Sequence, residues 1–497
     1  MVLRRKSRQR TAICLAGVWL AAWLAGCTVG PNYKKPTAAV PAKWDVEEPF
    51  REAAPKDAVP KTTWWTVFHN DELNGLENDL LSANQTLKVS LAHYQQARAS
   101  AAVENATLFP TLGVAPTAAR QRYSGDRATG STVPLTAPVT QSSWTIPFTV
   151  SYEVDLAGQR RRTIEAAQAS LRANAADFEN VRLILTAELA ADYFSMRQLD
   201  TQIALLLRTV DTLQKGLDLV NSRHQGGVAS GLDVAQEETL LNATRTQATL
   251  LRQQRKQFED ALAVLTGRAA PDFHLPAKEL AAEPPNLDVS LPSDLLERRP
   301  DIAEAERQMA VANAQIGIAK AAYYPSLQLY GQGGWNSAKI SKLFNAESGV
   351  WAIGANLAES IFTGGARRAQ VQFSLAGYDA TVASYRGTVL IAFQEVQDDI
   401  TGLEVLSTAQ QSQAQAVGAA RRQLDIANSR YVGGLVSYLD VVNAQQNLLN
   451  NEQEAAIIQG QRLVTSVLLV KALGGGWDAA SLSAVQEKAR LKDIVAP

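Results

Sequence analysis

Two stretches carry residues whose types and spacing could do chemistry. Arg430 to Leu449 reads RYVGGLVSYLDVVNAQQNLL, and Asn221 to Leu241 reads NSRHQGGVASGLDVAQEETLL. Each has a Gly-Gly pair (Gly226 and Gly227; Gly433 and Gly434), a Ser, and an Asp at the start of a helical pattern. Asn428–Ser429–Arg430 repeats Asn221–Ser222–Arg223 at an offset of 207 residues (Asn428 against Asn221), which also pairs Ser437 with Ser230 and Asp440 with Asp233. An Asp at such a place caps a helix. Copies of it gathered around an axis would instead repel and be relaxed by acid or cations. For Asp440 both readings stay open; Asp233 reads as a cap. Glu188/Asp192 and Glu395/Asp399 are carboxylates four apart on one helix face. That spacing could serve a metal or acid–base chemistry, but it reads better as a solvated face.

No other constellation points to catalysis. The four histidines (His69, His93, His224, His274) have no metal-ligand spacing, and three methionines make no soft-metal relay. Gly331–Gln332–Gly333–Gly334 falls inside a strand pattern rather than after one, and no Ser sits in a nucleophile elbow. No enzyme activity, metal or cofactor is expected. A net charge of −1 leaves no basic footprint for nucleic acid. Hydrophobic residues at 46% and charged residues at 20% are globular usage.

The N-terminus is a targeting segment. Arg4, Arg5, Lys6, Arg8 and Arg10 precede an uncharged apolar run from Ala12 to Leu24, then Leu24–Ala25–Gly26–Cys27. Small residues before Cys27 resemble a bacterial lipoprotein cleavage box, which implies diacylglycerol and an N-acyl chain on Cys27. Removing five positive charges takes the net charge of −1 to −6. Thr28 rather than Asp follows Cys27, which in lipoproteins favours the outer membrane.

The elements that position the two Asp residues read as follows. Residues 1–26 are the signal peptide, and 27–70 form a Pro-rich strap and belt. Residues 71–266 make a first repeat. Asp71 to Thr107 is helical and Pro110 ends it; strands follow at 112–124 and 143–156. In the second strand Trp144, Ile146, Phe148, Val150, Tyr152 and Val154 alternate with polar residues, and Pro147 counts mildly against a central strand. A helix then runs from Gln159 to about His224. Its apolar line from Phe178 to Val220 steps by threes and fours, the mark of a helix-on-helix seam. Some 60 residues make a rod of roughly 95 Å. Gly216 is the one glycine inside it. A tip at 224–231 and a return helix to Leu265 follow. Residues 267–292 are a linker. Residues 293–473 repeat the plan: a helix, strands at 326–336 and 350–362, and a long hairpin with its tip at 431–438. Residues 474–497 are a tail.

Four strands with one apolar face leave edges that cannot sit in lipid. A barrel of eight or more strands therefore needs several chains. Trp144, Trp335 and Trp351 suit membrane-interface girdles.

Several motifs resemble the NodT branch of TolC-like outer-membrane efflux channels: Cys27–Thr28–Val29–Gly30–Pro31–Asn32–Tyr33, Trp64–Trp65, Arg298–Arg299–Pro300–Asp301–Ile302, Tyr324–Pro325–Ser326–Leu327, Phe362–Thr363–Gly364–Gly365, and Tyr431 to Gln445. The resemblance spans Cys27 to about Trp477. It implies a mainly α chain with a membrane β-barrel: a homotrimer whose twelve strands form the barrel and whose twelve helices continue it as a periplasmic tunnel. It implies an adaptor and an inner-membrane pump as partners, outer-membrane lipid, and adaptor contacts at Gly226, Gly227, Gly433 and Gly434. It places a periplasmic gate at Leu439, Asp440 and Asn443, with Tyr431 tying hairpins. Asn443 departs from the Asp of many members, and Val436 stands where some have Arg. The first-copy counterparts are Asp233 and Gln236. Duplication does not account for Leu439 with Asn443, where the first copy has Leu232 and Gln236. The second copy is therefore the expected gate, more apolar and less acidic than the family pattern. An adaptor lipoprotein would need lipoyl or barrel domains flanking one hairpin, and a lipid-anchored hydrolase a compact α/β core. The two hairpins leave room for neither.

Overall fold

The structure is a computed structural model that describes residues 28–37, 40, 63–124, 138–285 and 298–475. Cys27, residues 38–39 and 41–62 of the strap and the tail past 475 lie outside the described residues. In chain order the elements are a 3-10 turn at Trp64–Phe68, α1 (Asp71–Ala83), α2 (Gln85–Ala106), β1 (Thr111–Val114), β2 (Thr117–Tyr123), β3 (Val139–Val154), α3 (Gln159–Gln225), α4 (Gly231–Leu265), α5 (Pro300–Ala321), β4 (Ser326–Ser337), β5 (Gly349–Ala358), α6 (Ala366–Val432) and α7 (Tyr438–Ala472). Helices α3 and α6 each have 67 residues, and α4 and α7 each have 35. Their bounds agree residue for residue at the offset of 207.

The chain divides into two compact units. Of the described residues the first holds 28–36, 96–124, 138–171 and 307–383 and contains the sheet. All its strands pair antiparallel, with β3 between β1/β2 and β4, and β5 beyond β4. The register gathers the apolar residues on one face. Ile146 pairs with Trp335, Tyr152 with Leu329, and Val154 with Leu327, which in turn pairs with Leu357. Trp351 and Ile353 of β5, opposite Gly333 and Gly331, continue that face and are each 80% exposed. The opposite face is polar. Gln328 Nε2 donates to Ser151 Oγ (3.1 Å) and Asn336 Nδ2 to Thr145 Oγ1 (3.0 Å).

Three expectations are corrected here. The strand expected at 112–124 is two strands, β1 and β2, in one register with β3. The gap falls at Ala115–Pro116, and the register sets Ala115 opposite Pro147. Neither proline can donate to a ladder, so pairing lapses where they meet. Pro147 nonetheless lies inside a central strand, because the interruption falls at this gap. The last strand ends at Ala358, short of residue 362.

The same unit seats the start of the described chain. Val29 N–H donates to Ala157 O (3.1 Å). The buried Arg162 of α3 donates to Val29 O (3.3 Å), Gly30 O (3.2 Å) and Asn32 Oδ1 (3.0 Å). Asn313 Nδ2 of α5 donates to Pro31 O (3.0 Å). Residues 29–32 are thus held by groups from both repeats.

Of the described residues the second unit holds 37, 40, 63–95, 172–285, 298–306 and 384–475. The third correction falls here: the helix expected over Asp71 to Thr107 breaks at Asn84. The Asn84 side chain accepts from Leu87 N–H (2.9 Å) and donates to Leu265 O (2.9 Å). It caps α2 while satisfying an orphan carbonyl at the end of α4. The seam of α3 is core: Leu185, Leu189, Tyr193, Met196, Leu206, Leu213 and Val220 are all buried. Towards the tips Leu213 packs with Leu240 and Leu241 of α4, and Leu206 with Ala248 of α4 and Leu449 of α7.

Candidate functional site at the hairpin tips

Each hairpin turns on a glycine in the left-handed region, Gly227 (φ 73°) and Gly434 (φ 69°). This is the second glycine of each pair; the first needs no special backbone. Val228 N–H bonds back to Arg223 O (2.8 Å) and Leu435 N–H to Arg430 O (2.9 Å), closing the ends of α3 and α6. Four exposed apolar side chains crown the tips: Val228 and Leu232 on the first, Val432 and Leu435 on the second.

Both Asp residues after the tips cap helices. Asp233 Oδ2 accepts from Ser230 N–H (3.0 Å), and Asp233 N–H donates to Ser230 Oγ (3.2 Å). Asp440 Oδ2 accepts from Ser437 N–H (3.1 Å) and Ser437 Oγ–H (2.8 Å). Asp440 is therefore anchored by the turn it follows, and its carboxylate is held in one place.

That place is the wall of a groove of about 780 Å³ beside the second tip, which Asp440 lines with Asn443, Asn447, Val436, Arg422 and Arg430. The structure thus brings two of the three expected gate residues to one surface. Leu439, 46% exposed, is not part of its lining. The two arginines come from α6, and sequence reading passed over them. Arg422 lies well before the tip and Arg430 in the last turn of α6, where a charge reads as solvated surface. With them the groove carries two cations against one carboxylate, so its character is basic rather than acidic.

Tyr431 lies against residues of both hairpins. Its ring packs on Tyr438 (centroids 4.9 Å apart), and the Arg223 guanidinium of the first hairpin lies over it at 4.8 Å. Such a contact contributes about 0.5–1 kcal/mol at an exposed site. Val220 of α3 and Val441 of α7 extend the same cluster.

The carboxylate pairs on α3 and α6 are less open than expected. Burial, then the neighbouring Glu188, pushes the Asp192 carboxyl up to about 6. Burial, then Glu395 and Asp398, pushes Asp399 to about 7. Glu395 is not free to work with Asp399, since it pairs with Arg299 at 2.6 Å.

A long helical hairpin occurring twice and an antiparallel sheet with one apolar and one polar face are the elements of a channel-type envelope protein. The chain matches the outer membrane efflux protein family over residues 76–268 and again over 291–475, and it belongs to that family. It is 32% identical over 467 residues to the pyoverdine export outer membrane protein OpmQ of Pseudomonas aeruginosa, covering 92% of this chain and 95% of that one. It is 31% identical over 466 residues to the toluene efflux pump outer membrane protein TtgF of Pseudomonas putida, covering 92% and 96%. The structure of the outer-membrane channel OprN superposes with a TM-score of 0.84 at 26% identity, covering 91% of this chain and all of that one. The chain is an outer-membrane efflux component, a transport duct rather than an enzyme.

Proposed function

We propose that this chain is the passive exit duct of a tripartite efflux pump, carrying small molecules from a pump and its adaptor across the periplasm and outer membrane. The observation that carries the reading is the sheet: a continuous apolar face, a polar reverse, and two edges without a partner among the described residues. Edges of this kind are unstable in lipid. Three copies would close twelve strands into a barrel, and their twelve helices would form a tunnel. The agreement of all four hairpin helices at one offset supports an internal duplication, which would give that tunnel six similar walls. The cargoes in the relatives' names, pyoverdine and toluene, differ greatly in polarity. A water-filled duct that leaves selection to the pump accommodates both.

The gate in this reading is the second tip, with Leu439, Asp440 and Asn443 around the axis and Arg422 and Arg430 behind them. The exposed apolar residues Val228, Leu232, Val432 and Leu435 beside Gly226, Gly227, Gly433 and Gly434 offer the adaptor its contacts. Purified full-length protein in planar bilayers should conduct, and Leu439→Ala with Asp440→Ala should raise conductance several-fold. Ser437→Ala removes the cap partner but keeps the carboxylate, and costs about 1 kcal/mol of helix stability; it should not widen the pore. A pure preparation that stays silent with every variant would overturn the reading.

Cys27 as an acylated N-terminus belongs to the same proposal, each buried CH₂ contributing about 0.8 kcal/mol of membrane affinity. Cys27→Ala should lose the lipid, seen as a mass difference, and still assemble, because the barrel anchors the protein independently. Complete loss of oligomers in that variant would contradict this.

A further inference from the structure

Gly216, Glu237 and Tyr438 meet near the tips, on α3, α4 and α7. The Glu237 side chain is wholly buried, at 0% exposure, and neither carboxyl oxygen has a hydrogen bond of ordinary geometry. It lies against Gly216: a Cβ there would fall 2.5 Å from Glu237 Oε1 and 3.4 Å from the Tyr438 hydroxyl. The one glycine within the 67 residues of α3 is therefore the space these two groups occupy. Tyr438 is buried where the second hairpin meets the first, its ring in the cluster with Val220, Val441 and Tyr431.

The duplication does not account for this set. At the offset of 207, Gly216 corresponds to Gln423, Glu237 to Ala444 and Tyr438 to Gly231. The three residues occur together only where the second hairpin enters the first. A buried carboxyl without firm partners is costly when ionised and tolerable when protonated.

We propose that Gly216, Glu237 and Tyr438 form a proton-dependent latch, which holds the second hairpin against the first while Glu237 keeps its proton and releases it when Glu237 ionises. This rests on the gated-duct reading above. In the latched arrangement the proton stays on the carboxyl; when the hairpins part, water reaches Glu237 and the proton leaves to solvent. Burial holds the latched carboxyl up to about 7, with the Tyr438 hydroxyl acting weakly the other way. Tyr438 itself is held above its ordinary value and stays neutral. Asp233 of α4 and Tyr431 of α6 act on Tyr438, and Arg223 of α3 lies over Tyr431; Tyr438 of α7 is the group acting on Glu237. Because the latched form binds its proton more tightly than the parted form, acid favours closure. Release becomes easier as pH rises from the ordinary carboxyl value of 4.5 to about 7, and changes little above that. The equilibrium constant for parting should grow on the order of a hundredfold across that window.

The test places spin labels at Ser222→Cys and Ser429→Cys, exposed positions on the two hairpins, in full-length protein diluted with unlabelled protein. Dipolar EPR then reads hairpin separation at about pH 5 and about pH 8, with bilayer conductance recorded in parallel. Wild type should gain a longer-distance population at the higher pH. Glu237→Gln should give one distribution at both, while Glu238→Gln, which neutralises the exposed carboxylate next to it, should keep the wild-type response. Tyr438→Phe retains the ring and removes the hydroxyl, so its midpoint should move to higher pH. A Glu237→Gln protein with the wild-type pH response, or a wild type with none, would overturn the latch. Labels that part with pH in a protein that never conducts would leave the latch standing and remove the duct. Conduction without label movement would do the reverse.

Discussion

Ile353→Arg should abolish stable insertion of the protein in the outer membrane, while Ala352→Arg, one residue earlier, should insert normally. The two side chains leave β5 on opposite faces. Ile353 is 80% exposed and lies opposite Gly331 on the face that carries Trp351, Leu357, Trp335 and Ile146. Ala352 lies opposite Gln332 on the face that carries Thr149 and Asn336. An arginine near the bilayer midplane of a barrel costs about 2–4 kcal/mol, and one facing water inside costs far less. In the proposed trimer the penalty is incurred three times. Membrane fractionation followed by urea extraction separates the outcomes. Equal insertion of both variants would mean that the apolar face does not meet lipid.

Arg197→Ala should be the most destabilising single change in the helical unit. Arg197, 2% exposed, donates to Asp200 (2.6 Å), Glu72 (2.8 Å) and Pro276 O (2.8 Å). Asp200, 3% exposed, also accepts from Arg255 (2.6 Å) and from Lys278 N–H (3.2 Å), and Arg255 donates to Leu275 O (2.6 Å). This network fastens residues 275–278 of the linker and the start of α1 to α3 and α4. Removing one member strands buried charge, at a cost of about 3–5 kcal/mol. The midpoint of denaturant unfolding in detergent should fall accordingly, and replacing Arg197 by Lys should recover only part of it, since one ammonium cannot reach the three acceptors in the same fork. A loss below about 1 kcal/mol would show that the charges are solvated after all.

The parts of this protein that were legible in its sequence are those with a period. Threes and fours along α3 marked its buried seam, and alternation along β3 marked the face that pairs with β4. The interruption at Asn84 had no such mark, because neither Gly nor Pro stands there and the side chain works through Leu265, 181 residues away. Pro116 was visible, yet its effect depended on Pro147 arriving opposite its neighbour Ala115 across the ladder. The belt network was hidden for the same reason: Arg255 and Asp200 are 55 residues apart, and each alone resembles surface charge on a helix. At the tips, the Ser–Asp caps could be read locally, while the groove arginines and the meeting of Gly216, Glu237 and Tyr438 arise from packing between hairpins. Gly216 was noticed only as an interruption; its reason lies in another helix.

The seating of Val29 to Asn32 bears on the order in which the molecule is made. These residues precede both repeats along the chain, yet one of their partners, Asn313, stands 282 residues from Pro31. Closing so wide a loop is slow, and it cannot begin until the second repeat has been delivered. Ala157 and Arg162 can take hold of these residues once the first repeat is delivered, and Asn313 completes the seat only after the second. The finished seat is a late event of biogenesis, one that reports that both repeats have arrived and found each other.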